Sequence, residues 1–207
     1  MAAISRACRI RNPAVFVCDI QEKFTKAIFE FPRLVSTTAK ILRASNTLNI
    51  PIYITTQNRS KLGPTIPELQ QHLTGPNVRA DIDKTLFSMI TPEIDALLPV
   101  PSRGDKPIDA VIVGLETHIC VTQTTLDLLE RGHRVYLLVD GVSSINAEER
   151  GIALARLRDA GAIVTTSESI LFEILGDAGR EEFKVITGLV KETKEETKEA
   201  LEKLSKI

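Results

Sequence analysis

Tryptophan is absent from the 207 residues, and aromatic side chains supply only 4% of them. Nor is there an excess of positive charge: 26 Lys and Arg stand against 27 Asp and Glu, for a formal net charge of -1 at pH 7. A nucleic-acid partner therefore finds neither an electrostatic footprint nor stacking platforms. Three cysteines at unrelated spacings, Cys8, Cys18 and Cys120, describe neither a disulfide framework nor a metal site. A reducing compartment suits them, and the cytoplasm is the expected location; organelle targeting by the basic, acid-free start MAAISRACRIR is left open. No apolar run reaches the roughly 18 residues of a membrane helix, so no membrane partner is expected. GxGxxG, the Walker loop and GxSxG are missing too, which removes the usual arguments for dinucleotide, nucleotide and serine-hydrolase chemistry.

What is present is an alternation of short apolar runs with helical patterns. AVFVCDI at 14–20, PIYITT at 51–56, DAVIVGL at 109–115, HRVYLLVD at 133–140 and AIVTTS at 162–167 read as strands, several of them apolar on both faces. Between them FPRLVSTTAKILRASNTLN, THICVTQTTLDLLERG, AEERGIALARLRDAG and ESILFEILGDAG carry helical spacing, with Pro32 in a first turn and Gly132 at an end. QNRSKLGPTIPEL reads as a polar loop leading into a short helix. Buried strands joined through helices imply a mainly parallel sheet covered on both sides, a doubly wound three-layer α/β/α sandwich. The whole of 1–207 is read as one domain, with an N-terminal segment at 1–12 and a charged, solvated helix or tail at 190–207.

Ligands of open parallel sheets gather outside the carboxyl ends of the strands. Asp19 ends the first run, Lys84 lies in DIDKTLFSM, and Cys120 follows GLETHI where a strand turns into a helix. A thiol near a helix N-terminus and an ammonium is favoured as thiolate, and a carboxylate in reach can take its proton and return it to a leaving amine. The pattern by itself leaves the plainer readings standing. Buried Cys is commonly a small hydrophobe, Asp at a strand end commonly caps a turn, and a single Lys is commonly solvated. Gln57 and His118 are candidates to line a pocket, His118 equally a solvent-facing residue. Cys18 adjoins Asp19, and strand alternation is expected to send it to the opposite face, into the core. Asp140 is first a turn cap and second a pocket support.

Taken together, FVCDIQEKF, DKTLFSM and GLETHICVTQTTLDLLERGHRVYLLVDGVSS resemble the isochorismatase-like cysteine hydrolase superfamily, which also holds nicotinamidases and carbamoylsarcosine amidase-like enzymes. The likeness runs from the first strand to about residue 175 and is nearest to the isochorismatase domain-containing branch. It implies an Asp–Lys–Cys triad at Asp19, Lys84 and Cys120, and an oxyanion hole from the backbone N–H groups of Glu116 and Cys120. It further implies a cis peptide at Leu115–Glu116, a homo-oligomer of at least two chains, and a small-molecule, amide-like substrate hydrolysed through an acyl-enzyme. The alternative is a catalytically silent oligomeric binding protein that keeps the fold. A thiol redox sensor is a third reading, and it needs Cys18 to face the pocket of Cys120.

The sequence also departs from parts of the superfamily. Nicotinamidases hold a metal with an Asp and several His after the second strand, whereas TTQNRSKLGPT has no histidine and the three His of the chain lack metal-site spacing. No metal and no cofactor are expected. Isochorismatase proper cleaves a vinyl ether without the same reliance on cysteine, so a complete triad points to an amide or related acyl substrate.

Overall fold

A computed structural model describes residues 9–206 of the chain; Cys8 and most of the N-terminal segment lie outside them. The strands are β1 (Pro13–Cys18), β2 (Ile52–Gln57), β3 (Val78–Lys84), β4 (Asp109–Gly114), β5 (Arg134–Val142) and β6 (Ile163–Thr165). The helices are α1 (Phe31–Thr47), α2 (Arg59–Leu62), α3 (Pro67–Gln70), α4 (Pro92–Asp95), α5 (Thr122–Glu130), α6 (Ala147–Ala160), α7 (Ser167–Leu175), α8 (Phe183–Glu192) and α9 (Lys194–Leu204). All strand pairs are parallel, in the order β3-β2-β1-β4-β5-β6. The chain winds outward in both directions from the β1–β4 pair, and the carboxyl ends of those two strands form the switch-point crevice.

Alternation along β1 divides the interior. Val15 and Val17 pack with Leu34 and Ile41 of α1 and Ile170 of α7, while Ala14, Phe16 and Cys18 pack with Leu128 of α5 and Leu154 and Leu157 of α6. Each face is thus sealed by helices, which is the α/β/α sandwich expected from the runs. Fully burying such a side chain contributes about 1.5–3 kcal/mol, so both layers are needed to hold a sheet with no wet face.

Two elements differ from expectation. VRADIDK forms β3, which the search for apolar runs passes over. It is the edge strand beside β2, with Arg79, Asp81 and Asp83 exposed between half-buried neighbours. Its signal is a period of two rather than an apolar run, as suits an edge that must resist further pairing. The charged tail is no solvated appendage either. Thr197, Ala200 and Leu204 of α9 are buried against the rest of the fold, and the Lys40 ammonium on α1 donates to the Thr197 hydroxyl at 2.7 Å. Arg150 of α6, itself buried, donates to the Leu204 carbonyl at 2.7 Å and to the carbonyls of Val139 and Val142. Glu and Lys fill only the outward face of α9, so its composition hides a buried stripe of one residue per turn.

At the opposite end of the strands from the crevice, Asp109 opens β4 fully buried. Its carboxylate accepts from the N–H groups of Arg11 and Asn12 at 2.8 and 2.9 Å and from Arg134. Burial pushes this carboxyl up, but the Arg134 guanidinium and the two N–H groups outweigh it and hold the group below the usual aspartate range. A carboxyl depressed in the folded state adds stability that is complete above the unfolded value, about 3.9, and is lost as pH falls through the folded value. Asp109→Asn is expected to lower stability at pH 7 by roughly 3–5 kcal/mol, because it breaks one side of a buried pair. It should also flatten the acid limb of the stability profile, both read from urea midpoints across pH.

Candidate active site

The site forms where β1 and β4 end side by side, with Cys18 in register with Gly114. The backbones approach closely there. A Cβ on Gly114 would lie 2.1 Å from the Cys18 carbonyl oxygen, and Gly114 has φ +123, so only glycine serves. Directly after β1, Asp19 takes a left-handed φ of 53, uncommon for a residue with a side chain. That conformation ends the alternation on which the opposite-face expectation for Cys18 depends. The Cys18 thiol donates to Asp19 Oδ2 at 3.6 Å and shares a buried cluster with Cys120. Cys18 is buried as expected, but on the side of Cys120. Burial first, then the Cys120 contact and the Asp19 charge, push its thiol well above the ordinary range, so it stays protonated.

Asp19 and Lys84 form an ion pair at 2.7 Å with side chains only 2% and 1% exposed. Asp19 Oδ1 accepts from the Thr55 hydroxyl at 2.7 Å. Lys84, the last residue of β3, also donates to Gln57 Oε1 at 2.8 Å and to the carbonyls of Leu86 and Phe87, both at 3.1 Å. Burial works against the ammonium, yet the acidic groups of Cys18, Asp19 and Cys120 prevail and hold its pKa above the ordinary lysine value. Gln57 is turned by its own amide, which donates to the Thr85 carbonyl at 2.9 Å. Its backbone is clamped by buried Gln21, whose Oε1 accepts from the Gln57 N–H at 2.7 Å while Nε2 donates to the carbonyls of Gln57 and Gly63. Gln21 is not singled out by the sequence; a polar residue two past the strand-end acid is its only trace there.

Cys120 sits in a π-helical turn, Thr117–Val121, rather than in the first turn of an α-helix; α5 begins at Thr122. The hydroxyls of Thr122, Thr124 and Thr125 donate back to the carbonyls of Thr117, Cys120 and Val121, each at 2.7 Å. They hold the widened turn, which presents Cys120 at 7% exposure. The Leu115–Glu116 peptide is trans, in contrast to the cis bond expected from resemblance; Gly114 supplies the change of direction instead. The Leu115 and Thr117 N–H groups donate to the carbonyls of Cys18 and Ser143 at 2.8 and 2.9 Å, whereas the Glu116 N–H between them has no acceptor among the described residues.

A cavity of about 100 Å³ adjoins the sulfur, lined by Asp19, Phe24, Gln57, Phe87, Leu115, Glu116, Ile119 and Cys120. The structure therefore brings Asp19, Gln57, Glu116 and Cys120 to one cavity, with Lys84 directly behind Asp19. His118 is not part of the wall: its Nδ1 is 3.0 Å from the buried Ser144 hydroxyl, outside the cavity. Asp140 also stands apart. It accepts from the N–H and hydroxyl of Ser167, the first residue of α7, and acts as a helix cap. Among the described residues, no group of three or more His, Cys, Asp or Glu is placed to hold a metal ion.

A parallel sheet covered by helices on both faces, with a buried carboxylate–ammonium pair and a cysteine at its switch point, is the α/β/α architecture of a hydrolase-fold superfamily whose members have varied activities. Residues 13–169 match the isochorismatase domain family, and the chain belongs to it. It is 39% identical over 199 residues to the "Secreted isochorismatase effector Isc1" of Phytophthora sojae, covering 93% of each chain. It is 40% identical to "Isochorismatase domain-containing protein 2" of Xenopus laevis, covering 88% of this chain and 85% of that one. Among solved structures, one described as the MAR1 ribonuclease of Caenorhabditis elegans superposes with a TM-score of 0.81 at 38% identity, covering 89% and 93% of the two chains.

Gly114→Ala should cost at least about 2 kcal/mol, because both the positive φ and the Cys18 carbonyl oppose a Cβ. Gly104 provides the control. It has φ +96 and nothing within 4 Å of where a Cβ would stand, so Gly104→Ala should lose only roughly 1 kcal/mol. Thermal melts of the two variants check the difference.

Proposed function

We propose that this protein is a cysteine hydrolase that cleaves a small amide-like substrate through a covalent acyl-enzyme, with Asp19, Lys84 and Cys120 as its catalytic residues. The observation that carries this reading is the buried Asp19–Lys84 pair, of which Asp19 lines the small cavity beside Cys120 and Lys84 stands behind it. A buried ion pair is seldom the most stable filling for such a site, since an apolar replacement is often neutral or stabilising; its place against a cavity and a thiol speaks for chemistry.

In this mechanism Asp19 takes the Cys120 proton, and Lys84 stabilises the negative charge that develops. The thiolate adds to the substrate carbonyl carbon, whose oxygen is received by the N–H groups of Glu116 and Cys120. The tetrahedral species collapses as the C–N bond breaks, and Asp19 returns its proton to the leaving amine. Asp19 then removes a proton from a water that attacks the thioester, releasing the acid and restoring the thiol. Gln57 fixes the Lys84 ammonium from the far side and positions the pair. The unpartnered Glu116 N–H supports its assignment as an oxyanion donor.

A ribonuclease reading, suggested by the words attached to the worm structure, finds less support. The cavity wall contains no cationic side chain to meet a phosphodiester, and Lys84 is engaged by four acceptors. We also infer a homo-oligomer. Leu86, Phe87 and Ile145 expose apolar surface, Phe87 at the cavity itself, and the Escherichia coli YcaC gene product, which shares the fold at 20% identity, is described as an octameric hydrolase of unknown specificity.

Screening a library of small amides for amine or ammonia release tests the activity. Cys120→Ser should lower turnover of any substrate found by at least about a thousandfold while the protein remains folded, because only the attacking atom is changed. Retention of most of the turnover by Cys120→Ser or Cys120→Ala would defeat the covalent route. A wild-type protein that binds library members without turning any over would favour the silent binding protein instead.

A further inference from the structure

The mechanism above uses one of the two cysteines at the switch point and leaves Cys18 without a task. Both are free thiols. Cys18 and Cys120 belong to one buried cluster, on the face of the sheet covered by α5 and α6. β1 and β4 are in register at Cys18 and Gly114, and the Leu115 N–H donates to the Cys18 carbonyl at 2.8 Å; the turn that carries Cys120 begins two residues later, at Thr117. Asp19 touches both halves of this arrangement. Its Oδ2 accepts from the Cys18 thiol at 3.6 Å, and it lines the cavity beside Cys120. The Cys18 thiol is pushed up by burial first and by the Cys120 side chain next.

Unequal access fixes an order of events. Cys120 lines the cavity and is 7% exposed, whereas Cys18 is fully buried. A hydroperoxide that enters the cavity of about 100 Å³ therefore meets Cys120 first, and there is room for one, since a water takes up only about 30 Å³ of liquid. The Cys120 sulfur attacks one peroxide oxygen, the O–O bond breaks, and the other oxygen leaves as hydroxide and is protonated to water. The sulfur is thereby oxidised to a sulfenic acid and the peroxide reduced. Cys18 then passes its proton to Asp19, and its sulfur attacks the Cys120 sulfur. An S–S bond forms, the S–O bond breaks, and the departing hydroxide takes that proton to become water. Cys120 is then closed to the irreversible sulfinic step.

We propose that Cys18 is a resolving cysteine, and that peroxide oxidation of Cys120 closes a Cys18–Cys120 disulfide that switches the site off reversibly and protects its sulfur. The proposal rests on the hydrolase reading for the reactivity of Cys120.

The full-length protein is exposed to excess hydrogen peroxide, labelled with iodoacetamide before or after dithiothreitol, and mapped as peptides under non-reducing conditions. Labelling of Cys120 should be lost in peroxide and restored by dithiothreitol. The oxidised sample should contain the Cys18 and Cys120 peptides joined with the loss of two hydrogens. In Cys18→Ser and Cys18→Ala, each checked for folding by its thermal melt, Cys120 should accumulate sulfinic acid and its labelling should not return. The joined peptide is read in the wild type, so the test does not depend on either variant folding. A wild-type Cys120 that labels freely but keeps its thiol in peroxide, passes to sulfinic acid, or pairs with Cys8 would overturn the switch and leave the hydrolase reading in place. Full recovery of labelling in both variants would do the same. Resistance of Cys120 to iodoacetamide before any peroxide is added, under conditions that consume glutathione, would overturn the hydrolase reading and this proposal with it.

Discussion

The ion pair between Lys84 and Asp19 spans the half of the sheet that builds the site. Lys84 comes from edge strand β3, Asp19 from the residue after β1, and β2 lies between them. Two charges taken this far from water are tolerated only when their remaining donors and acceptors are met. Thr55 on β2 meets one Asp19 oxygen, while Gln57 and two carbonyls after β3 meet the ammonium. The requirement then propagates outward: Gln57 must be oriented, so Gln21 is buried and clamps its backbone, and the loop at Gly63 is tied to the same amide. One electrostatic demand thereby fixes the ends of three strands relative to one another.

The other half of the site rests on close backbone approach. β1 and β4 converge until only a glycine fits at 114, and the chain leaves β1 through a left-handed aspartate. Beyond β4 the backbone widens into a π-helical turn before α5, with three threonines satisfying its carbonyls. Departures from regular geometry cost free energy and persist where the surroundings over-determine them. Here they lie within a few residues of Asp19 and Cys120. Membership of the isochorismatase family establishes that framework, but a fold hosts many chemistries. The reading of activity therefore rests on the cavity and its charges.

The legible parts of this structure are those governed by local patterns. AVFVCDI and DAVIVGL, apolar throughout, suit only central strands, and their central pairing follows from burial on both faces. β3 is legible in principle through its alternation and is obscured by its charges. α9 is hidden because a helix with one buried residue per turn looks, by composition, like a solvated one. Alternation places Cys18 correctly in the core with Ala14 and Phe16 but separates it from Asp19, because it assumes an extended chain, and no local signal announces the left-handed φ at Asp19. Gln21 and the π-helical turn answer hydrogen-bond demands set by distant residues, and His118 is drawn away from the cavity by Ser144.

By itself, then, the sequence determined the α/β/α class and the parallel sheet, and it put Asp19 and Cys120, two of the three candidate site residues, at or near strand ends, because hydrophobic periodicity and turn chemistry act over a few residues. The tertiary structure alone decided which of these meet, since Asp19 and Lys84 lie 65 residues apart and come together only through strand order. It decided the protonated state of Cys18, because that depends on neighbours contributed by other strands and loops.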